Sequence, residues 1–325
     1  MSMIFETRRL AKYYPVRAGF FSRSSRFVRA VDLVNLDIRK GETVGLAGES
    51  GCGKTTLSRL LLRLETPTGG QILFKGKDIV GASNEELMMF RRQTQMVFQN
   101  PSASLNPRKK IGQIIRQPLD FHKVCKADTR EQKVSELLGL VGLRPAENFI
   151  DRYPHELSGG QQQRVGIARA IATVPDCIVA DEPVSSLDVS VRAQILNLLK
   201  ELQGRFNISF LLVTHELAVL RSLAHRTAIM YLGQIVETGN TQDVFEKPCH
   251  PYTRALLSAT PVPDPSVARS REKLILSGEV PSAIDPPEGC RFHPRCPFSK
   301  SKCSSLQPEA KEENGRLCMC HYPLS

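Results

Sequence analysis

Residues 48 to 55 read Gly48-Glu49-Ser50-Gly51-Cys52-Gly53-Lys54-Thr55: a glycine, four intervening residues, then Gly-Lys-Thr. Glycines at these places let the backbone curl until successive N–H groups face one anion, while Lys54 can reach the outer phosphates and Thr55 offers a hydroxyl to magnesium. Gly48, Ser50, Gly51, Cys52, Gly53, Lys54, Thr55 and Thr56 are therefore expected to bind the phosphate chain of a nucleotide. A glycine-rich turn without chemistry would not need the flanks found here. Glu42 to Ala47 reads as a short buried strand, and Leu57, Leu60, Leu61 and Leu64 recur at helical spacing, so a helix N-terminus is aimed at the anion.

Other residues could act on what the loop holds. Pro175 to Glu182 is an apolar strand that brings Asp181 and Glu182 to its C-terminal end, where ligands gather in open α/β sheets. Asp181 suits magnesium, and Glu182 can orient and polarise water for attack on a terminal phosphate. Two acids at a strand end are commonplace; a phosphate loop earlier in the chain gives them meaning. Ile208 to Thr214 forms another strand and presents His215. Taken singly this histidine reads as structural, but at such a position it could donate to the terminal phosphate and sense its presence. Leu157-Ser158-Gly159-Gly160-Gln161 opens a further helix, Gln162 to Ala172. Its turn could accept anionic oxygen through Ser158 and exposed N–H groups, though alone it reads as an ordinary helix cap.

The remaining elements position these groups. Val31 to Ile38 alternates with period two, and the basic stretch Arg17 to Arg29 before it lacks periodicity and reads as a loop. Its Arg17, Arg23, Arg26 and Arg29 could meet lipid headgroups, against the plainer reading of a solvated loop. Gln71 to Phe74 resumes a strand after the breaker Thr66-Pro67-Thr68-Gly69-Gly70, with a turn at Lys75 to Asp78, giving a small antiparallel element. Thr94 to Phe98 is a strand that Asn100-Pro101 stops just after Gln99. Ile111 to about Leu143 turns helical, with Val134, Leu137 and Leu138 on one face of the segment Glu131 to Leu140. Ser185-Ser186-Leu187-Asp188 caps a helix in which Ala193, Leu196, Leu199 and Leu202 recur.

A chain of 325 residues with 41% hydrophobic content can bury a full core and carry an appendage. No apolar run approaches the roughly 20 residues of a membrane span, and Met1 to Arg9 lacks a signal-peptide core, so a soluble, non-exported chain is expected. A net charge of +11 allows an anionic partner without choosing among nucleic acid, acidic lipid and nucleotide.

Taken together, GESGCGKT, Gln99, LSGGQ, IVADE, SSLD and TH occur in the order found in the ATP-binding cassette (ABC) family, which residues 3 to 260 resemble. The resemblance implies an α/β fold: a P-loop NTPase core, RecA-like with a mostly parallel sheet, plus an antiparallel β subdomain and a helical subdomain at about 100 to 172. It implies an ATPase that dimerises head to tail around two ATP molecules, Ser158, Gly159, Gly160 and Gln161 of one chain completing the phosphate loop of the other. By the same resemblance Tyr14, rather than Tyr13, stacks on adenine, and Thr55, Gln99 and Asp181 hold Mg2+. Glu182, His215 and Gln99 serve hydrolysis, and Asp188 communicates across the dimer. Ser186 and Glu216 stand where the family often has Ala and Asp, and neither change removes a reacting group.

Phe98-Gln99-Asn100-Pro101, Ser104-Leu105-Asn106-Pro107-Arg108 and His250-Pro251-Tyr252-Thr253-Arg254-Ala255-Leu256-Leu257 narrow the resemblance. They are similar to the ATPase subunits of bacterial dipeptide and oligopeptide importers, above all the second ATP-binding subunit of dipeptide importers. Implied partners are a paralogous ATPase subunit, with a homodimer as the other option, two transmembrane permease subunits and, indirectly, an extracytoplasmic solute-binding protein. The implied location is peripheral, on the cytoplasmic face of the inner membrane, and no nucleic-acid partner is expected. Two rivals remain: the same role with nickel chelates or other small solutes as cargo, and a soluble ABC ATPase acting on nucleic acid or the ribosome.

Thr260-Pro261-Val262-Pro263-Asp264-Pro265 reads as a linker to a C-terminal extension, 261 to 325, that carries Cys290, Cys296, Cys303 and Cys320, with Cys318 and His321 as further possible ligands. Four soft thiolates suit tetrahedral zinc or an iron–sulfur cluster, spacing does not separate these, and unligated thiols are the third reading. The peptide-importer resemblance implies a [4Fe-4S] cluster on Cys290, Cys296, Cys303 and Cys320, and leaves Cys318 as a bystander.

Overall fold

The computed structural model describes residues 2–16, 26–260, 274, 276, 278–313 and 315–324. Two compact units divide the chain: Met1–Ile4, Ile38–Glu42 and Gly81–Val213 form the first, and Phe5–Asp37, Thr43–Val80 and Thr214–Ser325 the second.

In the first unit three strands, Thr94–Val97, Cys177–Asp181 and Ser209–Val213, run parallel, with Val97 opposite Ala180 and Asp181 opposite Val213. The latter two strands are buried at every position, as their nearly unbroken apolar sequence requires of strands covered on both faces. The expected helical stretch from Ile111 is two helices, Ile111–Phe121 and Arg130–Leu140, with the 3-10 turn Ala127–Thr129 between them. Val134, Leu137 and Leu138 are buried as their spacing suggests. The helix Val189–Phe206 buries Ile195, Leu198, Leu199 and Leu202, whereas Ala193 is exposed and Leu196 half-buried. The expected series 193, 196, 199, 202 was out of phase: steps of three residues rotate the face by about 60° each time, and the mixed three-and-four spacing follows the true helical stripe.

The second unit contains a four-stranded sheet in the order Arg26–Arg39, Met3–Val16, Gly69–Phe74, Lys77–Asp78. Phe5 lies opposite Phe74 with ring centroids 5.1 Å apart. Arg26 to Arg29 belong to the strand rather than to the expected loop, because backbone pairing needs no apolar side chain; Arg29 N–H also donates to Ala283 O at 3.0 Å. Arg17 and Arg23 lie outside the described residues, as do Pro261 to Pro265 of the expected linker. Elsewhere in this unit Thr43–Ala47 runs parallel to Arg226–Tyr231, which pairs antiparallel with Gln234–Asn240. The extension adds Arg316–Cys318 and Lys311–Glu313 beyond it, both antiparallel.

The helix after the phosphate loop, Lys54–Leu61, buries Leu57, Leu60 and Leu61 but ends before Leu64, which is 55% exposed. Arg63 stands at φ 52°, its N–H bonded to Leu60 O and that of Leu64 to Arg59 O, which is the paired closure of a Schellman end. Among the described residues no helix is long and apolar enough to cross a membrane.

Candidate functional site

The loop of the second unit is shaped by its glycines. Gly53, the N-cap of Lys54–Leu61, stands at φ 109°, and a Cβ there would sit 2.0 Å from Ala30 O. The Lys54 ammonium is buried and donates to Gly48 O at 2.8 Å and Glu49 O at 2.9 Å, with Cys52 Sγ 3.7 Å away. Cys52 is buried, which raises its thiol pKa despite the neighbouring Lys54, and its carbonyl accepts from Gly233 N–H at 2.9 Å. Ser50, Gly51 and Thr55 are exposed, and Thr56 is half-buried. The lysine is thus gathered inward by loop carbonyls, while Thr55 beside it is exposed.

The two tyrosines differ in their partners. Tyr13 OH bonds to Asp32, and burial followed by that carboxylate pushes its pKa up to about 12. Tyr14 OH bonds to Glu65 and also approaches Thr56 at the start of the loop's helix, while Lys12 Nζ lies 5.0 Å from its ring centroid.

In the first unit, Asp181 is the last residue of its strand and is buried. Glu182 follows at φ 47° with its N–H bonded to Val213 O at 2.8 Å. That left-handed turn separates the directions of the two acids, a backbone state unusual for a glutamate. Gln99 Nε2 donates to Glu182 Oε2 at 2.8 Å, and Ser186 Oγ donates to Gln99 O at 3.4 Å. Asn100 caps the next turn by accepting from Ala103 N–H at 3.1 Å.

Ser158 and Gln161 form a reciprocal cap on the helix Gly159–Ile171: Gln161 N–H donates to Ser158 Oγ at 3.3 Å, and Ser158 N–H to Gln161 Oε1 at 3.0 Å. Ser158 and Gly159 are exposed, and a Cβ on Gly160 would meet Val191 Cγ1 at 2.4 Å. Asp188 is the N-cap of Val189–Phe206, but its carboxylate makes no cap bond and is exposed, against the expectation of a side-chain cap. In the second unit His215 is exposed two residues beyond Val213, and Glu216 N–H donates to Thr214 Oγ1 at 3.0 Å.

In the extension, Cys290, Cys296, Cys303 and Cys320 line one cavity together with His250, Phe292, Phe298 and Tyr322. Among the described residues no three His, Cys, Asp or Glu side chains are gathered as a metal-ion site. Burial pushes the Cys290, Cys296 and Cys320 thiols up to about 11, while the backbone N–H groups of Phe292, Phe298 and Tyr322, each two residues onward, point to these sulfurs and favour the thiolate. Cys318 is hydrogen-bonded to Cys249 and is not part of that cavity's lining, and His321 Nε2 pairs with Leu306 O at 2.7 Å. His250 in that lining is buried, which lowers its pKa to about 4, and its Nδ1 caps the helix Pro251–Ala259 by accepting from Tyr252 N–H.

Two residues with no expected role touch the phosphate loop. Tyr252 OH accepts from Glu49 N–H at 2.9 Å, and the Arg295 guanidinium bonds the Glu49 carboxylate twice. Tyr252 lies within the His-Pro-Tyr-Thr motif and Arg295 directly precedes Cys296, but neither position carries a local sign of its partner.

The family model for ABC transporters matches residues 31–185, and the model for the oligopeptide/dipeptide transporter C-terminal region matches 236–303. The oligopeptide transport ATP-binding protein AppF of Bacillus subtilis is 50% identical over 98% of this chain and 97% of its own length. The dipeptide transport ATP-binding protein DppF of Haemophilus influenzae is 47% identical over 96% of this chain and 94% of its own. Among solved structures, a dimeric ATP-binding cassette bound to ADP and Pi in a post-hydrolysis state is similar with a TM-score of 0.64 and 30% identity, covering 73% of this chain and 99% of that one.

Proposed function

This chain belongs to the ATP-binding proteins of ABC transporters, in the oligopeptide and dipeptide branch, and we propose that it is the ATPase subunit energising import of dipeptides or oligopeptides through a membrane transporter. The observation that carries the peptide reading is the likeness to peptide-transport relatives over nearly the whole chain, extension included. Its working form is a head-to-tail dimer with a paralogous ATPase, docked peripherally on two permease subunits at the cytoplasmic face of the inner membrane.

In this reading the N–H groups from Gly48 to Thr56 and the Lys54 ammonium hold the β and γ phosphates, and Tyr14 stacks on the adenine. The approach of Tyr14 to Thr56, at the start of the loop's helix, supports that choice. Mg2+, held by Thr55, Asp181 and Gln99, would draw charge from the phosphate oxygens. Glu182 orients and polarises the attacking water, with Gln99 fixing its carboxylate; His215 donates to the terminal phosphate. Ser158 to Gln161 present exposed N–H groups and a hydroxyl to the nucleotide on the partner's loop, and Asp188 communicates across the dimer. Gln99 begins the segment that meets the permease, so the state of the phosphate is passed outward from the residue that touches Glu182.

For the extension we propose a [4Fe-4S] cluster on Cys290, Cys296, Cys303 and Cys320; the reading is supported by the four cysteines lining one cavity and by the backbone N–H groups that reach three of them. When bound, the cluster would supply four iron–thiolate links that tie the extension together; zinc is the alternative occupant.

Uptake of a labelled dipeptide into vesicles holding the chain, its ATPase partner, two permease subunits and a binding protein tests the function. Uptake that stops with Lys54→Ala supports it. Recovery of RNA in place of a membrane-protein pair on affinity purification would overturn it.

A further inference from the structure

Glu49, the second residue of the phosphate loop, is held on three sides. Its carbonyl accepts from Lys54 Nζ at 2.9 Å, and its N–H donates to Tyr252 OH at 2.9 Å. Its carboxylate takes a two-pronged bond from Arg295, Nη1 to Oε2 at 2.8 Å and Nη2 to Oε1 at 3.0 Å. Such a fork fixes direction as well as distance. The Arg295 side chain is only 8% exposed and Glu49 24%, so the pair is largely shielded from screening by water. Arg295 also lies 6.0 Å from the Tyr231 ring centroid, so its guanidinium is confined by an aromatic wall.

The backbone that carries Arg295 is equally constrained. It ends the turn His293–Arg295, immediately before Cys296, and its N–H bonds to Phe292 O at 3.0 Å. Phe292 is buried against Tyr231 and Tyr252, with centroids 5.3 and 5.4 Å away. Cys290 N–H bonds to Cys303 O at 2.8 Å, closing the cysteine turn on itself. On the other side of Phe292, Arg291 bonds to Asp32 and to Leu232 O, and the adjacent Gly233 N–H holds Cys52 O at 2.9 Å. Two arginines flanking one aromatic plug therefore run from the cysteine turn to the phosphate loop, one directly and one through the 232–233 turn.

We propose that Arg295 is a positioning residue for the nucleotide: through Glu49 it sets the curvature of the 48–55 loop, so that the C-terminal extension determines the affinity for the nucleotide's phosphates. The inference rests on the reading of that loop as the phosphate site. Lys54 is drawn inward by the carbonyl of the same Glu49 whose carboxylate Arg295 grips, so a shift of Glu49 moves a donor that the phosphates need. The extension is then a structural member of the nucleotide site, not only an appendage to it.

Isothermal titration of the full-length chain with a non-hydrolysable ATP analogue and Mg2+ tests this, with KM and kcat measured alongside. Arg295→Ala and Glu49→Gln should each weaken binding about tenfold, and the double variant should be no weaker than either single one, since both break the same contact. Arg295→Lys should recover part of the loss, and the change should appear in KM rather than in kcat. A purely structural role would instead lower the active fraction while leaving KM in place. Affinity within about twofold of the parent in both single variants, or losses that multiply in the double variant, would overturn the proposal. Lys54→Ala separates the two levels: if it binds as tightly as the parent, the reading of the loop itself fails.

Discussion

Glu182 accepts a hydrogen bond from Gln99 Nε2 at 2.8 Å while its own backbone stands in the left-handed region at φ 47°. The strand that ends at Asp181 must turn sharply to achieve this, and the result is two consecutive acids with different surroundings, one buried and one half-buried. Glu182→Gln keeps the side chain's size and removes its charge. Steady-state hydrolysis should fall by at least about a hundredfold while nucleotide affinity stays near that of the parent, measured by phosphate release and by titration. Retained turnover would remove Glu182 from the chemistry.

Gly53→Ala should be among the most damaging single changes near the loop. Its φ of 109° and the 2.0 Å approach of a Cβ to Ala30 O combine an unfavourable backbone state with a collision against main chain that has little room to retreat. The variant should lose about 1–3 kcal/mol of stability and most of its nucleotide affinity, read from urea unfolding and analogue titration. A variant as stable and as tightly binding as the parent would show that the loop is free to reshape.

Arg316→Ala should destabilise the second unit strongly. Glu237 is fully buried and accepts from Cys249 N–H, His250 N–H and Arg316 Nη2 at 3.0, 2.8 and 2.5 Å. Deleting the arginine leaves a buried carboxylate short of its countercharge, a loss of about 3–5 kcal/mol. Denaturant unfolding measures it, and Arg316→Lys should lie between the two. A change below about 1 kcal/mol would mean that the two backbone donors satisfy Glu237 by themselves.

Protein purified without oxygen should contain about four irons and about four acid-labile sulfides per chain, and Cys303→Ser should lower both. A colourless product with stoichiometric zinc would assign the cavity to a single metal ion instead.

Much of this was legible along the chain because its causes are local. A phosphate loop needs glycine where φ is positive, a doubly covered strand such as Cys177–Asp181 needs an unbroken apolar run, and Ser158 with Gln161 forms a cap from residues three apart. What escaped depends on distant partners. The phase of the helix Val189–Phe206 is set by what it packs against, and strand pairing extends back through Arg26 to Arg29 whatever their side chains. The Arg295–Glu49 pair joins residues 246 apart, and nothing around either one announces the other. The left-handed turn at Glu182 was hidden for a different reason: its residue type ordinarily avoids that conformation.

The strands contributed by the extension also decide how this chain behaves in a crowded solution. Arg316–Cys318 covers the open hydrogen-bonding edge of Gln234–Asn240, a strand buried along most of its length that would otherwise offer its backbone to any passing chain. The outer strand that follows, Lys311–Glu313, is short and carries three exposed charged side chains, Lys311, Glu312 and Glu313. An edge of that kind repels further strands rather than recruiting them. Removing residues 311–318 would therefore trade a guarded border for an adhesive one, and aggregation would accompany the loss of Arg316 from Glu237.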